Sequence, residues 1–348
     1  MGGENIQVND GKVTFTGDDA MVAKANICLR TAERVLLVLG SFRATSFTEL
    51  FDRTVQLPFE DYIGKKDAFP VKGWSLNSQL HSVPDCQSIL KKAAVKRLEQ
   101  AYGIAWFEET GPLHQIQFSI HKDQVTVMLD TSGPGLHKRG YRQTSMLAPI
   151  KETLAAGIVD LAHIRRNDIV YDPFCGSGTF VIESALHALN IAPGIRRRFA
   201  AEQWDCIDRS VWKREREAAH SRICRESTYR GYGFDLDGEA VALASENAYK
   251  AGITQRVRFA QRDIADFQLP EEKATVICNP PYGERLLDIQ EAERLYRKMG
   301  EVFLPGQGVN YYIISPHEDF EKLFGRPADK RRKLYNGMIK CQLFMYYK

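Results

Sequence analysis

The sequence holds 348 residues, 44% hydrophobic and 26% charged, with a formal net charge of +3. A chain of this size and composition can bury a full core by itself, which argues against a disulfide miniprotein, a collagen-like chain or a largely disordered one. Its apolar runs are short, as in Val35–Leu39, far below the ~18 residues of a membrane span, and no basic-then-apolar leader is visible. The seven cysteines are scattered, odd in number and form no CxxC pair. They are expected to be reduced thiols of a cytoplasmic protein, with no metal site. The mild positive charge permits a nucleic-acid partner without requiring one.

Before residue 150 the elements alternate irregularly. Val13–Phe15 and Val35–Leu39 read as strands, and Pro84 to Ala101 as a helix that Gly103 ends. Gln115–His121 and Gln124–Asp130 alternate apolar and polar residues, predicting a hairpin across Lys122–Asp123. This is an α+β unit over residues 1–131. The run TSGPGLHKRGYR, Thr131 to Arg142, is glycine-rich and basic and opens an expected linker over 132–150. Within it Lys138, Arg139, Tyr141 and Arg142 pair cations with an aromatic ring, which suits RNA phosphate contact plus stacking; the bland alternative is a solvated linker. Arg196–Arg198 and Lys330–Lys333 are further basic clusters open to the same two readings.

Residues 151–348 read strand–helix–strand. Strands are predicted at Ile169–Asp172, Gly231–Asp235, Val257–Ala260, Thr275–Cys278 and Val309–Ser315, and helices at Thr179–Leu189, Gly238–Ala251 and Glu291–Phe303. The fold class is therefore α/β, a doubly wound, mostly parallel sheet. Lys333–Tyr335 and Met338–Tyr346 flank Asn336-Gly337, which predicts a closing antiparallel hairpin with a type I′ turn.

Two motifs carry chemistry. The first is Asp172-Pro173-Phe174-Cys175-Gly176-Ser177-Gly178-Thr179, between a strand and a helix. Its glycines allow close backbone approach, Ser177 or Thr179 can cap the helix, and Asp172 can accept from an amine, so the run suits an α-amino-acid headgroup. The GxGxxG and P-loop patterns are both incomplete here. Asp235, at the next strand end, can accept ribose hydroxyls; Asp237 is a second candidate whose alternative is a helix cap; Asp263 can accept from an adenine amine. The second motif is Asn279-Pro280-Pro281-Tyr282, a proline-stiffened strand end. Asn279 and the Pro280 carbonyl can accept both hydrogens of an exocyclic amine, with Tyr282 stacking on the base.

In this order DPFCGSGT, GFDLD, RDIADF and NPPYGERL resemble the class I S-adenosylmethionine-dependent amino-methyltransferases. More narrowly, LHKRGYR (Leu136–Arg142), APIKETLAA (Ala148–Ala156) and NPPYGERL (Asn279–Leu286) resemble the THUMP-domain N2-guanine RNA methyltransferases. The resemblance implies a mixed seven-stranded sheet, an N-terminal RNA-binding unit, S-adenosylmethionine as cofactor, and Glu152 and Thr153 closing its methionine end. It implies large-subunit ribosomal RNA as first target and tRNA as second. Such proteins carry a longer ferredoxin-like segment before the GKVTF strand, so a shortened N-terminal platform is expected. A DNA adenine-N6 methyltransferase and a non-catalytic RNA-binding factor are the competing readings.

Overall fold

The computed structural model describes residues 2–142, 150–268, 273–282, 289–304 and 308–347. The chain divides into two compact units, Met1–Leu136 with Arg197–Ala218, and His137–Arg196 with Ala219–Lys348. Two sequence expectations change here. Residues 197–218, expected in the methyltransferase domain, belong to the first unit. There the Trp204 ring stacks on His114 at 4.4 Å, and its Nε1 donates to the Leu113 carbonyl at 3.0 Å. Nor is the described part of 132–150 a solvated linker. Ser132 is buried; its Oγ accepts from the Val35 amide at 2.9 Å and donates to Asn26 Oδ1 at 2.7 Å. Residues 143–149 of that stretch lie outside the described residues.

The first unit opens with the antiparallel pair β1 (Glu4–Asn9) and β2 (Lys12–Thr16), then α1 (Asp19–Cys28), capped by Asp18 through the Met21 amide. β3 (Leu36–Arg43), α2 (Phe47–Val55), β4 (Val71–Leu76), α3 (Val83–Tyr102), β5 (Ile116–His121) and β6 (Gln124–Asp130) follow. They form a four-stranded sheet in the order β3-β6-β5-β4. Ile116, Phe118, Ile120, Val125, Val127 and Leu129 are buried on one face, as alternation requires. Lys122 and Asp123 take φ of 52° and 63°, the paired left-handed conformation of a tight hairpin turn.

The second unit runs α4 (Glu152–Leu161), β7 (Ile169–Asp172), α5 (Thr179–Ala188), then α6 (Arg209–Ser221), whose first ten residues fall in the first unit. It continues with β8 (Arg230–Asp235), α7 (Gly238–Ala251), β9 (Val257–Gln261), β10 (Ala274–Cys278), α8 (Ile289–Phe303), β11 (Val309–Ser315), α9 (Phe320–Phe324), β12 (Lys330–Asn336) and β13 (Ile339–Tyr346). The seven-stranded sheet has the order β12-β13-β11-β10-β7-β8-β9. All neighbours are parallel except those of β13, which runs against β11 and β12. Helices cover both faces, so the central strand β10 is buried along its whole length, with Val276 in one core cluster and Ile277 in the other. The closing turn differs from the expected one. Asn336 pairs with Ile339 in the ladder, and the turn is Gly337-Met338, with φ of 64° at Gly337 alone. Positive φ only at the first central position is the type II′ pattern, and glycine supplies it without strain.

The chain leaves β7 for β8 and β9 on one side, then returns to place β10 on the other. That reversal makes a crevice outside the carboxyl ends of β7 and β10, where open α/β sheets take their ligands.

Candidate functional site

Asp172 ends β7 and is 1% exposed; its Oδ1 accepts from the Phe174 amide at 3.0 Å. Burial pushes its carboxyl well above the usual carboxylate range; the Phe174 N–H works against this and the Asp235 charge adds to it. A buried acceptor of this kind gains most when a cation is placed beside it. The following turn depends on Gly176 (φ 48°) and Gly178 (φ 82°). A Cβ on Gly178 would stand 3.0 Å from Ala244 Cβ and Phe259 Cζ. The Cys175 amide donates to the Phe234 carbonyl at 2.8 Å, and Asn247 Nδ2 donates to the Ser177 carbonyl at 3.0 Å. The expected side-chain cap of α5 is not found: Gly178 occupies the cap position, while Ser177 Oγ and Thr179 Oγ1 lie 3.2 Å apart.

Asp235 ties the neighbouring loops together. Its Oδ2 accepts from the Gly176 amide at 2.8 Å and its Oδ1 from the Asp237 amide at 3.0 Å. Its carbonyl accepts from Arg262 N at 2.9 Å. Each carboxylate oxygen keeps a second lone pair for a ligand hydroxyl. Asp237 caps α7 by accepting from the Glu239 amide at 2.8 Å, the cap alternative for this residue. Between the two acids Leu236 is 67% exposed, an apolar surface that sequence reading did not single out. Asp263 is exposed and accepts from the Ala265 amide at 2.7 Å.

The Asn279 corner follows β10. β10 pairs with β7 in parallel, Thr275 opposite Val170 and Val276 opposite Tyr171. The corner and the glycine turn therefore open on the same sheet edge, on strands ~4.8 Å apart. Asn279 Oδ1 is buried and has no hydrogen-bond partner among the described residues. Pro280 is buried, and Tyr282 is half-buried beside the core cluster that includes Phe234 and Tyr296. A support that no sequence motif announces lies behind the corner. Tyr296 Oη donates to the Pro281 carbonyl at 3.1 Å, Ser315 Oγ donates to Tyr296 Oη at 3.2 Å, and the His317 amide donates to Ser315 Oγ at 3.1 Å. Burial raises the Tyr296 hydroxyl to about 12, so it stays a donor.

The structure overturns the RNA-contact reading of LHKRGYR for three of its four candidates. Arg139 and Tyr141 are 5% and 4% exposed, and both turn to the buried Glu183: Nε at 3.4 Å and Oη at 3.0 Å from its Oε1. Arg142 donates to Glu152 Oε2 at 3.0 Å, the Ile150 carbonyl at 3.0 Å and Thr179 Oγ1 at 3.2 Å. Buried charges must be paired, and these cations find their partners inside the chain. Lys138 alone of the four is exposed. Glu152, 2% exposed at the start of α4, is raised to about 7, chiefly by burial and against the pull of Arg142; Thr153 beside it is half-buried. Of the other clusters, Arg196 holds the Lys250 carbonyl at 2.7 Å and Arg197 the Gly135 carbonyl at 2.9 Å.

The donor set fits an amino-acid-bearing nucleoside: Asp172 and the glycine turn for the headgroup, Asp235 for a ribose, Leu236 for an apolar ring face. Among the described residues, no group of three His, Cys, Asp or Glu side chains is placed to hold a metal ion, and no helix is long and apolar enough to cross a membrane.

The strand order is that of a class I methyltransferase. Comparison with known proteins agrees. Residues 139–344 match the RMKL-like methyltransferase domain, residues 44–130 the THUMP domain, and residues 1–36 the RlmL ferredoxin-like domain. The chain is 42% identical to "Putative RNA methyltransferase YpsC" of Bacillus subtilis, covering 99% of this chain and 90% of that protein. It is 33% identical to the ribosomal RNA large subunit methyltransferase K/L of Psychromonas ingrahamii, over 99% of this chain but only 47% of that protein. Among solved structures, SMU.472 complexed with SAH superposes with a TM-score of 0.92 at 42% identity, covering 98% of this chain and 91% of that one. A predicted N6-adenine-specific DNA methylase from Listeria monocytogenes gives 0.93 at 44% identity, covering 98% and 89%. The chain belongs to the RMKL-like methyltransferase family and carries a THUMP domain. The match over residues 1–36 assigns a ferredoxin-like segment to the stretch where a shortened one was expected.

Proposed function

We propose that this protein methylates RNA, transferring a methyl group from S-adenosylmethionine to the exocyclic N2 of a guanine, with large-subunit ribosomal RNA as first target and tRNA as second. The observation that carries this is the buried Asn279 Oδ1, without a hydrogen-bond partner among the described residues, on the same sheet edge as the glycine turn. A buried acceptor without a donor costs free energy unless a ligand supplies one.

When bound, S-adenosylmethionine supplies a methyl already activated on a sulfonium sulfur. The chain's part is to orient. Asp172 accepts from the headgroup amine, Asp235 from ribose hydroxyls and Asp263 from adenine. Asn279 Oδ1 and the Pro280 carbonyl accept the two amine hydrogens of the base, which aims the nitrogen lone pair at the methyl. Tyr282 stacks on the base, and a paired guanine must leave its helix to reach it. The THUMP domain and the names of the relatives favour RNA over DNA adenine, although the same corner can grip an adenine amine.

The test is tritium transfer to ribosomal RNA and tRNA from a strain lacking the protein, followed by nucleoside mass spectrometry. The wild type should produce N2-methylguanosine. Asn279→Ala should lower turnover ~10²–10³-fold, as loss of one preorganised polar contact to the reacting group does, with cofactor affinity kept. Equal turnover in the variant rejects the role of Asn279; label in N6-methyladenine replaces guanine as the target.

A further inference from the structure

We infer that the β12–β13 hairpin is an arm with which the methyltransferase unit itself grips the strand flanking its target nucleotide; that the polymer is RNA rests on the function proposed above. Lys333 and Lys340 take backbone phosphates, and Met338 takes an unstacked neighbouring base.

Register places the arm beside the Asn279 corner. Cys278, the last residue of β10, lies opposite Ile313, and Ile313 lies opposite Phe344. Two strand spacings therefore separate β10 from β13, ~10 Å. β13 runs against β11, so going from Phe344 back to Ile339 climbs past the carboxyl ends of the parallel strands. At ~3.4 Å per residue that climb is ~17 Å, and Gly337-Met338 turns beyond it. The arm thus stands on the β10 side of the crevice and rises past it. One of its faces continues the corner's own support. Ser315, which donates to Tyr296 behind Pro281, lies opposite Gln342, and Gln342 lies opposite Lys333. Tyr335 and Lys340 face each other in the next row of that face, nearer the tip.

Exposure and charge select the occupant. Met338 is 96% exposed and Tyr335 55% exposed. Lys333 Nζ lies 5.2 Å from the centre of the Tyr335 ring. The hairpin carries five cations, Lys330, Arg331, Arg332, Lys333 and Lys340, and no carboxylate. Arg331 donates to Glu321 at 2.8 Å, whereas Lys333 and Lys340 have no ion-pair partner among the described residues. Glu318 and Asp319 are exposed on the loop after β11, and among the described residues neither is paired with a hairpin cation. β12 is the outer strand of its sheet, so its charges also deter a second copy from adding a strand there. That role accounts for Lys330–Lys333. It accounts neither for Lys340 nor for a thioether at the tip, where the turn requires only the glycine. A polyanion with splayed bases accounts for both: phosphates meet the cations, and an apolar tip enters a base step as methionine wedges do. A nucleotide extruded into the Asn279 corner leaves its neighbours above the crevice, where the tip stands.

The experiment uses the full chain and a short fluorescein-labelled single-stranded RNA, read by anisotropy. Met338→Ala should weaken binding roughly 5- to 30-fold, the loss of one apolar contact, while Met338→Leu retains most of it. Lys333→Gln with Lys340→Gln should lower the slope of log affinity against log salt by roughly 1.4. Arg230→Gln with Lys273→Gln, which removes exposed cations at the amino ends of β8 and β10, should leave the slope unchanged. The three arm side chains are exposed, so melting temperatures should equal that of the wild type. Unchanged affinity and slope in the arm variants overturn the arm, and so does an equal fall in slope for the amino-end pair. A wild-type dimer in sedimentation that Met338→Ala converts to monomer, with RNA affinity unchanged, also overturns it. The two proposals fail separately. If the arm variants weaken binding but the wild type methylates no RNA, the catalytic reading falls and the arm stands. If Asn279→Ala abolishes transfer and the arm variants bind normally, the arm falls.

Discussion

Asp235→Ala perturbs the proposed cofactor cradle at a residue that joins two of its loops. The carboxylate accepts the Gly176 amide at 2.8 Å and the Asp237 amide at 3.0 Å. A hydrogen bond to a charged group contributes ~1.5–3 kcal/mol. Asp237 is exposed, so water replaces much of what its amide loses, whereas the Gly176 bond joins two separate loops. The net loss in stability is therefore about 2 kcal/mol, a fall in Tm of roughly 4–8 °C for a unit of this size. On the proposed assignment, binding loses the ribose acceptor together with the turn that shapes the headgroup site, and affinity should drop ~10- to 150-fold. Calorimetric titration with S-adenosylhomocysteine measures this directly. Asp237→Ala is the internal control. Its side chain caps α7 through the Glu239 amide, so it should cost ~0.5–2 kcal/mol of stability and leave affinity unchanged. Normal affinity in Asp235→Ala, or an equal loss in Asp237→Ala, would refute the assignment of the ribose acceptor to Asp235.

Glu152 carries the pH dependence. Its native pKa of about 7 lies above the ordinary glutamate value of 4.5, so between those values the native state holds a proton that the unfolded state has released. Stability from this group is therefore complete below about pH 4.5 and declines by ~3 kcal/mol as pH rises to about 7. Glu152→Gln should reduce the proton release on unfolding near pH 6 by about one, seen in the pH dependence of the denaturation midpoint; an unaltered dependence contradicts the buried-acid account. Tyr296→Phe removes the hydroxyl between Pro281 and Ser315. Turnover should fall about tenfold, the worth of one such hydrogen bond, with cofactor affinity and the KM for RNA unmoved; a lost cofactor affinity would instead show general collapse of the unit.

The sequence by itself determined the local order of this protein. Every predicted strand from Ile169 to Ser315 lies within a residue of its observed place, because apolar runs between turn-forming residues depend on near neighbours alone. The site motifs were legible for the same reason: Asp172–Thr179 and Asn279–Tyr282 are contiguous stretches whose backbone requirements show in their glycines and prolines. Only the tertiary structure decided where the basic residues went. LHKRGYR reads as exposed cations, yet Arg139 is buried against Glu183, 44 positions away, and Arg142 against Glu152 and Thr179. It also decided that residues 197–218 leave one unit for the other and that Tyr296 and Ser315 prop the Asn279 corner. A charge is solvated or buried according to the partner folding brings to it, and no local pattern encodes a partner that distant.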